Sequence, residues 1–344
     1  MSQYLESEAS FEGHFIGFLY RQWLIHRKPV PEGINVSGQT AIVTGSNSGL
    51  GFEAARQLFQ LGLTHLIMGV RSQARGDAAA DKLRKEFPES TISVWLVDME
   101  SYDSITAFAK KCETLPRIDI VILNAGLRCD NFTAVKSTGH EKTFQVNYLS
   151  TVLLAILLLP VLKSKKLSSN SSSPPRLSIV TSDTAYWADP LKAGPVLPQF
   201  DIPEEFKSMR SYPRSKLLQI YFVSKLAEEI NADDVIVNTS NPGFCRGTNF
   251  GDGAVMSFIR SLTFWVFQNL NGRTGESGAS AVVDGVVAKG KESHGSYVSD
   301  WGIRPYPEVL YTKEGQDIRE RVWEETLEEL NFAGASRIIE EMKR

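Results

Sequence analysis

From residue 39 onward, short runs rich in Val and Ile alternate with longer helical segments. The predicted strands cover residues 39–44, 65–70, 91–98, 118–123, 176–182 and 234–240. The predicted helices cover residues 49–61, 73–86, 101–113, 140–163 and 211–230. Strands that are apolar on both faces and separated by helices are typical of a parallel sheet covered on both sides. The alternation therefore predicts an α/β fold with a doubly wound parallel sheet of about seven strands, whose ligands bind beyond the carboxyl ends of the strands.

The remaining segments are arranged around a single domain that covers residues 37–300. Residues 1–36 form an N-terminal extension, and residues 301–344 form a C-terminal tail that is charged, amphipathic and helical over 313–343. Residues 183–208 contain four prolines and little periodicity, which indicates an insertion beside the site. Residues 244–275 combine glycine with aromatic residues, which suits a cover over the substrate, although a plain packed helix over 254–269 fits equally well.

Composition weakens several classes of function. The net charge of −3 leaves no basic surplus for binding nucleic acid. The three cysteines, Cys112, Cys129 and Cys245, lack the close spacing of a zinc site, and their number does not suggest a disulfide framework. The chain contains no HExxH and no GxSxG motif. We therefore expect no metal site and no serine-hydrolase activity.

Two apolar stretches bear on membrane contact. Residues 151–162 are almost wholly apolar, but a span needs about 20 such residues, so we expect a buried helix. Residues 15–25 are apolar and aromatic, interrupted by Arg21, and preceded by acidic residues rather than by the basic start of a secretory signal. We therefore expect a cytoplasmic protein without a transmembrane span. The 15–25 segment either packs on the protein's own body or forms an arm that contacts a membrane face or a partner.

A glycine-rich turn, TGSNSGLG at residues 44–51, follows the first predicted strand and opens the first predicted helix. Glycine lets the backbone approach a pyrophosphate, and the helix N-terminus supplies unpaired N–H groups and the positive end of a dipole. A P-loop is disfavoured because no Lys follows the last glycine. The turn therefore predicts a dinucleotide site formed by Gly45, Asn47, Ser48, Gly49, Leu50 and Gly51.

The TGxxxGxG spacing resembles that of the short-chain dehydrogenase/reductase superfamily, whose fold is Rossmann-like, and further motifs of that family follow in order over about residues 37–300. An aspartate ends the third predicted strand, Asn-Ala-Gly follows the fourth, and Asn-Pro-Gly follows the sixth. In the family these positions contact the adenine, line the cofactor and face the nicotinamide. The resemblance therefore implies that Asp98 contacts the adenine and that Asn124, Ala125 and Gly126 line the cofactor. It also implies that Pro242 and Gly243 face the nicotinamide. In detail the chain is most similar to retinol-dehydrogenase-like reductases and to fungal reductases of secondary metabolism.

The end of the second predicted strand indicates which cofactor is bound. An NAD site usually places a carboxylate about 20 residues past the glycines, where it binds the ribose 2′-hydroxyl. Residues 69–72 contain no acid there, and Arg71 is present instead. A guanidinium can bind a 2′-phosphate with paired hydrogen bonds, whereas a carboxylate would repel it. The sequence therefore predicts NADP(H), unless Arg71 is only a solvated surface charge.

Tyr212 and Lys216 are four residues apart and therefore lie on one face of a helix. A phenol with a pKa of about 10 is a poor acid–base group near neutral pH, and a nearby ammonium is expected to lower that pKa. The segment YPRSKLLQI resembles the family's catalytic segment, in which the Tyr moves a proton and the Lys also holds the nicotinamide ribose. Tyr221 and Lys225 repeat the spacing nine residues later, so they point the opposite way. The Tyr212 pair matches the family better.

Two further catalytic residues are implied by the resemblance. Ser182 ends the fifth predicted strand, where the family's Ser orients the carbonyl and stabilises developing negative charge. Thr181 and Asp183 flank it, so a one-residue misassignment remains open. Asn147, in the segment FQVNYLS, matches the family's Asn that holds a water in a proton relay with the Lys. Since Asn lowers helix propensity, function would explain its presence, and a hydrogen-bonded core Asn is the alternative.

These residues predict an NADP(H)-dependent oxidoreductase that interconverts a carbonyl and an alcohol on a bulky apolar small molecule, in secondary-metabolite biosynthesis. A retinol- or steroid-type dehydrogenase is the alternative within this class. A non-redox epimerase or dehydratase would favour TGxxGxxG spacing, and a non-catalytic nucleotide-binding protein would be expected to lose Tyr212 or Lys216. The resemblance also implies a homodimer whose contact is formed by the helices at 140–163 and 211–230.

Overall fold

The computed structural model describes residues 1–168, 173–246 and 268–343. Eight strands form one sheet in the order β3-β2-β1-β4-β5-β6-β7-β8. Their bounds are Thr40–Thr44, His65–Val70, Thr91–Leu96, Ile120–Leu123, Arg176–Val180, Ile236–Asn241, Tyr297–Ser299 and Gly302–Arg304 for β1 to β8. All neighbouring pairs are parallel except β7 and β8, which are antiparallel. The predicted single-domain, doubly wound α/β fold is confirmed, with one short antiparallel strand added at the edge.

Helices cover both faces of this sheet. On one face lie α3 (Gly49–Gln60), α4 (Gln73–Glu86) and α9 (Gly275–Val287). On the other lie α5 (Tyr102–Cys112), α7 (Ser150–Ser168) and α8 (Ser208–Glu229). Successive residues of β1 point to opposite faces, so that Ala41 and Val43 pack with one group of helices and Ile42 with the other. A central strand of this kind must be apolar throughout, which is why the strand runs in the sequence do not alternate.

The helix α7 is preceded by a short helix α6 (Lys142–Phe144) and by one π-helical turn (Gln145–Leu149). By length and composition, the continuous helix Lys142–Leu167 could cross a membrane, and among the described residues it alone meets that test. However, 89% of its most apolar window is buried inside the protein. Its apolar character is explained by its position, because the sheet, α5, α8 and the C-terminal helices enclose it.

The C-terminal tail folds into α10 (Lys313–Glu329) and α11 (Ala335–Met342), which pack against α8 and α7. The ring of Trp323 stacks on Phe222 of α8 at 5.3 Å between centroids. The hydroxyls of Tyr148 and Thr326 are 2.6 Å apart. The outer faces of α7 and α8 are therefore covered by the chain itself.

The N-terminal extension contains α1 (Glu6–Gly13) and α2 (Phe15–Leu24). One face of α2 is buried against the domain and carries Gly17, Phe18 and Arg21. The opposite face is exposed and apolar, with Phe15, Ile16, Tyr20, Trp23 and Leu24. The expectation that this segment packs on the protein's own body is therefore met for one of its two faces.

Two expectations concern segments around the site. Residues 183–208 contain three short 3₁₀ helices, Asp183–Trp187, Leu197–Phe200 and Pro203–Glu205, and no further strand. Of the predicted cover at 244–275, residues 247–267 lie outside the described residues, as does most of the alternative helix at 254–269.

Candidate active site

A cleft of about 340 Å³ opens beyond the carboxyl ends of β1, β2, β3 and β4. Strand β1 lies between β2 on one side and β4 on the other, so the strand order reverses at the end of β1. Doubly wound sheets bind their ligands at such a reversal point. The predicted cofactor residues that line the cleft are Gly45, Asn47, Ser48, Gly49, Leu50, Arg71, Asp98, Asn124, Ala125 and Gly126.

The glycine turn has a backbone that other residues would not adopt easily. Gly45 and Gly49 have φ angles of +66° and +56°. A Cβ on Gly51 would lie 2.6 Å from both the Asn124 side-chain nitrogen and the Gly45 carbonyl oxygen, so this glycine is required for packing beneath the cleft. Ser48, which precedes α3, makes no side-chain capping bond, so the first N–H groups of the helix are available to a ligand. The turn therefore fits a pyrophosphate.

The Asn-Ala-Gly segment after β4 holds this turn in place. The Asn124 side-chain nitrogen donates to the carbonyl oxygens of Thr44 and Gly45, at 3.0 and 3.3 Å. The backbone N–H groups of Asn124 and Ala125 both donate to the Thr44 hydroxyl, each at 3.0 Å. Because β1 and β4 are adjacent, these bonds tie the strand ends on the two sides of the cleft together.

The far end of the cleft carries Arg71, whose side chain is 63% exposed. Its guanidinium is 3.0 Å from a carboxylate oxygen of Glu100, and the same carboxylate is 2.8 Å from the Lys142 ammonium. The sequence analysis missed Glu100 and Lys142. Glu100 lies four residues past β3, and because β2 and β3 are parallel neighbours their ends meet. The Asp98 carboxylate, which accepts from the Glu100 N–H at 3.0 Å, also lines the cleft.

Ser182, Tyr212 and Lys216 come together at the carboxyl end of β5. The Ser182 hydroxyl hydrogen-bonds with the Tyr212 phenol. The Lys216 ammonium lies 5.8 Å from the Tyr212 ring centroid and donates to the Val180 carbonyl at 2.8 Å. Thr181 donates its hydroxyl to the Lys216 carbonyl instead. The geometry thus favours Ser182 over its neighbour as the residue that contacts the phenol.

Burial controls the acid–base properties of this group. It raises the pKa of Tyr212 to about 12, although the hydrogen bond from Ser182 and the charge of Arg128 oppose that rise. Burial also lowers the pKa of Lys216 to about 7. Lys216 is not among the groups that lower the pKa of Tyr212, so the expected effect of this lysine is not found. Both groups are withdrawn from water, and burial is the largest influence on each pKa.

Asn147 is fully buried in the π-helical turn before α7. Its side-chain nitrogen donates to the Leu127 carbonyl at 2.9 Å and to the Ser215 hydroxyl at 3.1 Å, and its oxygen accepts from the Leu127 N–H at 2.9 Å. A Cβ on Gly126 would lie 3.2 Å from the Asn147 oxygen and 3.7 Å from the Lys216 nitrogen. Asn147 therefore joins the loop after β4 to α8, and its relay role remains a prediction.

The other predicted positions lie outside this group. Gly243, with φ of +74°, follows β6 and faces Gln22 and Arg273, and neither it nor Pro242 lines the cleft. Of the second pair, Tyr221 is 1% exposed in the core and Lys225 pairs with glutamates of α8 and α10.

The three cysteines are free and buried, and among residues 1–168, 173–246 and 268–343 no cluster of His, Cys, Asp and Glu could hold a metal ion.

Comparison with known proteins identifies the family. A family model for short chain dehydrogenases matches residues 39–169, beginning after α1 and α2. The chain is 57% identical over 346 residues to the short chain dehydrogenase virL of Hypocrea virens, covering 100% of both chains. It is 51% identical to the short chain dehydrogenase/reductase mfmJ of Annulohypoxylon moriforme, covering 91% of this chain and 90% of that one.

Solved structures agree with the fold. A short chain dehydrogenase from Escherichia coli complexed with NADPH superimposes with a TM-score of 0.56 at 20% identity, covering 78% of this chain and 99% of that one. A short-chain type dehydrogenase/reductase from Mycobacterium marinum gives 0.58 at 15% identity, covering 83% and 100%. Given its fungal relatives at more than half identity over most of its length, the chain belongs to the short chain dehydrogenase/reductase family of oxidoreductases.

Proposed function

We propose that the chain is an NADP(H)-dependent carbonyl reductase in which Tyr212 donates the proton. The observation that carries this proposal is the grouping of the Ser182 hydroxyl, the Tyr212 phenol and the Lys216 ammonium at the carboxyl end of β5, beside a cleft built on a glycine turn. When bound, the nicotinamide would supply the hydride. The chain's own residues hold the carbonyl and supply the proton.

In the reductive direction, Tyr212 acts as the proton donor. With a pKa of about 12, the phenol keeps its proton at neutral pH and is ready to donate it. The Ser182 hydroxyl has one proton, which it can donate to the substrate's carbonyl oxygen in place of the phenol, and this stabilises negative charge as it develops there. Tyr212 then transfers its proton to that oxygen as the carbonyl carbon is reduced. Lys216, whose nitrogen lies 5.8 Å from the Tyr212 ring centroid, would hold the nicotinamide ribose.

Tyr212→Phe tests the proton transfer. The variant should lower kcat by about 100-fold or more because general acid catalysis is lost while the ring still packs. Tyr221→Phe is the matched control, since its buried hydroxyl has no hydrogen-bond partner among the described residues and it lies outside the cleft. Full activity in Tyr212→Phe would show that another group is the acid.

The choice of NADP(H) rests on Arg71, which lines the cleft, and on Lys142, which pairs with the same Glu100 carboxylate. A 2′-phosphate would compete with Glu100 for the Arg71 guanidinium, which is mostly exposed. Arg71→Asp should raise the Kd for NADPH by at least about tenfold and leave the Kd for NADH within about threefold. An unchanged NADPH affinity would contradict the assignment.

The proposed substrate is a bulky apolar ketone or aldehyde, such as a polyketide or terpenoid intermediate of secondary metabolism, with a retinoid or steroid as the alternative. The support comes from aromatic side chains close to the site. Trp187 follows Ser182 by five residues, Phe244 follows the turn after β6, and Phe18 contacts both rings at 5.2 and 6.3 Å. Following NADPH oxidation across a panel of ketones, quinones and aldehydes, with NADH for comparison, tests the class. Turnover without net NADPH consumption would favour an epimerase or dehydratase instead, and tight NADPH binding without any turnover would favour a non-catalytic binding protein.

For partners, the small-molecule substrate is the main proposal. The faces of α7 and α8 that the predicted homodimer would use pack against α10 and α11. We therefore propose a monomer in which the C-terminal helices occupy the surface that the expected dimer would use. A peripheral membrane contact would use the exposed apolar face of α2, and co-sedimentation with vesicles tests it. The cytoplasmic location remains a prediction.

A further inference from the structure

The buried face of α2 contacts both segments that bound the active site. Phe18, Arg21 and Gln22 lie three and four residues apart and therefore share this face. Phe18 packs edge-on against Trp187, in the segment after Ser182. Gln22 donates to the Phe244 carbonyl at 3.0 Å, just past the Pro242-Gly243 turn. The N-terminal extension thus holds the segment after β5 and the turn after β6 at the same time.

Arg21 is the charged centre of this contact, and its side chain is 1% exposed. Its guanidinium forms an ion pair with Glu12 of α1 and lies 3.4 Å from carboxylate oxygens of both Asp183 and Asp300. The guanidinium also lies 5.4 Å from the ring centroid of Tyr186. A buried arginine surrounded by three carboxylates is costly to build unless each charge is compensated.

The carboxylates do not share Arg21 equally. Asp300 also pairs with Arg273, and Glu12 also lies 3.4 Å from Arg304. Asp183 is 6% exposed, and among the described residues Arg21 is its only ion-pair partner. Removing the Arg21 charge would therefore leave one particular buried carboxylate without a cation, namely the one next to Ser182.

Asp183 in turn connects the two sides of the site. Its carboxylate accepts from the Asn241 side chain at 2.8 Å and from the Tyr297 hydroxyl at 3.1 Å, and its N–H donates to the Asn241 oxygen at 3.2 Å. The same Asn241 oxygen accepts from the Gly243 N–H at 3.1 Å. A continuous chain of contacts therefore runs from Arg21 through Asp183 and Asn241 to the turn that follows β6.

We propose that Arg21 is a positioning residue for the reduction, which fixes the Ser182 segment against the Pro242-Gly243 turn and neutralises the Asp183 carboxylate beside Ser182. This inference rests on the proposed catalytic role of Ser182 and Tyr212. An uncompensated carboxylate next to Ser182 would oppose the negative charge that develops on the carbonyl oxygen, so its neutralisation lowers the barrier. The α1–α2 segment is then part of the active-site structure rather than an appendage.

The experiment compares Arg21→Met, which removes the charge and keeps much of the volume, with Arg21→Lys, which keeps the charge and loses the planar fork. Arg27→Met is the matched control, since Arg27 belongs to the same extension but is 43% exposed and pairs with an exposed glutamate. Arg21→Met combined with Asp183→Asn removes both buried charges together. For each full-length variant, kcat and KM, the Kd for NADPH by fluorescence and the unfolding midpoint without cofactor are measured.

We expect Arg21→Met to lower kcat by at least about tenfold while the Kd for NADPH stays within about threefold, and to lower the unfolding midpoint. The double variant should have a kcat at least about threefold higher than that of Arg21→Met and should recover part of the unfolding midpoint. The kcat of Arg21→Lys should lie between those of wild type and Arg21→Met. Arg27→Met should have the kcat of wild type. Purely structural support would instead predict that the double variant recovers the unfolding midpoint without recovering kcat.

A kcat for Arg21→Met within about twofold of wild type, or no recovery in the double variant, overturns the inference. If Arg21→Met does not fold, Arg21→Lys decides, and a wild-type kcat in that variant overturns the inference equally. Tyr212→Phe separates the two proposals. Its activity must be lost for the catalytic assignment to stand, whatever the Arg21 variants show.

Discussion

Asn147→Ala should destabilise the protein strongly, because this side chain makes three hydrogen bonds that alanine cannot make. Asn147 is fully buried, and its carboxamide makes both a donor and an acceptor bond with the backbone of Leu127. Its third bond goes to the Ser215 hydroxyl, which also donates to the Tyr212 carbonyl at 2.8 Å. Truncation would leave the Leu127 N–H and carbonyl unpaired, whereas Ser215 would keep one bond.

The magnitude follows from those two unpaired groups. Leaving a buried donor or acceptor unsatisfied costs about 1–3 kcal/mol each. Leu127 is only partly buried, so water can partly replace the lost bonds, and we expect a decrease of about 2–4 kcal/mol in the free energy of unfolding. That is a large part of the stability of about 5–15 kcal/mol typical of folded proteins.

Urea unfolding followed by tryptophan fluorescence measures this free energy, with Asn131→Ala as the control. Asn131 is exposed, so its truncation should change the free energy of unfolding by no more than about 0.5 kcal/mol. A loss below about 1 kcal/mol in Asn147→Ala would refute the reasoning, because it would mean that the Leu127 groups find other partners without cost.

Three further predictions concern the cleft, the pH dependence and the assembly. Gly51→Ala should weaken NADPH binding by at least about tenfold in a fluorescence titration, since its Cβ would lie 2.6 Å from Asn124, whereas Gly275→Ala, with open space around it, should bind normally. Burial opposes protonation of His140, but hydrogen bonds with two carboxylates outweigh it and raise its pKa. The stabilisation is present below about pH 6.5 and is lost as pH rises through the raised pKa, so His140→Gln should flatten the unfolding free energy over that range, and an unchanged slope would contradict this. Light scattering should give the mass of one chain, and a dimer with α10 and α11 in place would contradict the proposed monomer.

Much of the fold could be predicted because it depends on local periodicity. The helix predicted at 73–86 has those bounds, and the one at 49–61 ends one residue earlier, at Gln60. The last two strands were missed because each has three residues, too few to show a pattern. Helix α8 begins at Ser208, three residues before the predicted start.

The candidate site was predictable where its residues are fixed by a motif and not where they meet across elements. The glycine turn and the residues Ser182, Tyr212 and Lys216 follow from order along the chain. Glu100 and Arg128 were missed, because each reaches the site from a different loop. The expected effect of Lys216 on Tyr212 also failed, since spacing shows that two residues are near each other but does not show how far water is excluded.

The sequence by itself determined the alternation of strands and helices, the turn that can receive a pyrophosphate, and the tyrosine and lysine on one helical face, since each depends on residues close together in the chain. Only the tertiary structure decided that Arg21 lies buried beside Asp183, 162 residues away, and that the C-terminal helices cover α7 and α8. The reason is physical. Burial and charge compensation are properties of the packed molecule, and distant segments acquire them only when folding brings them together.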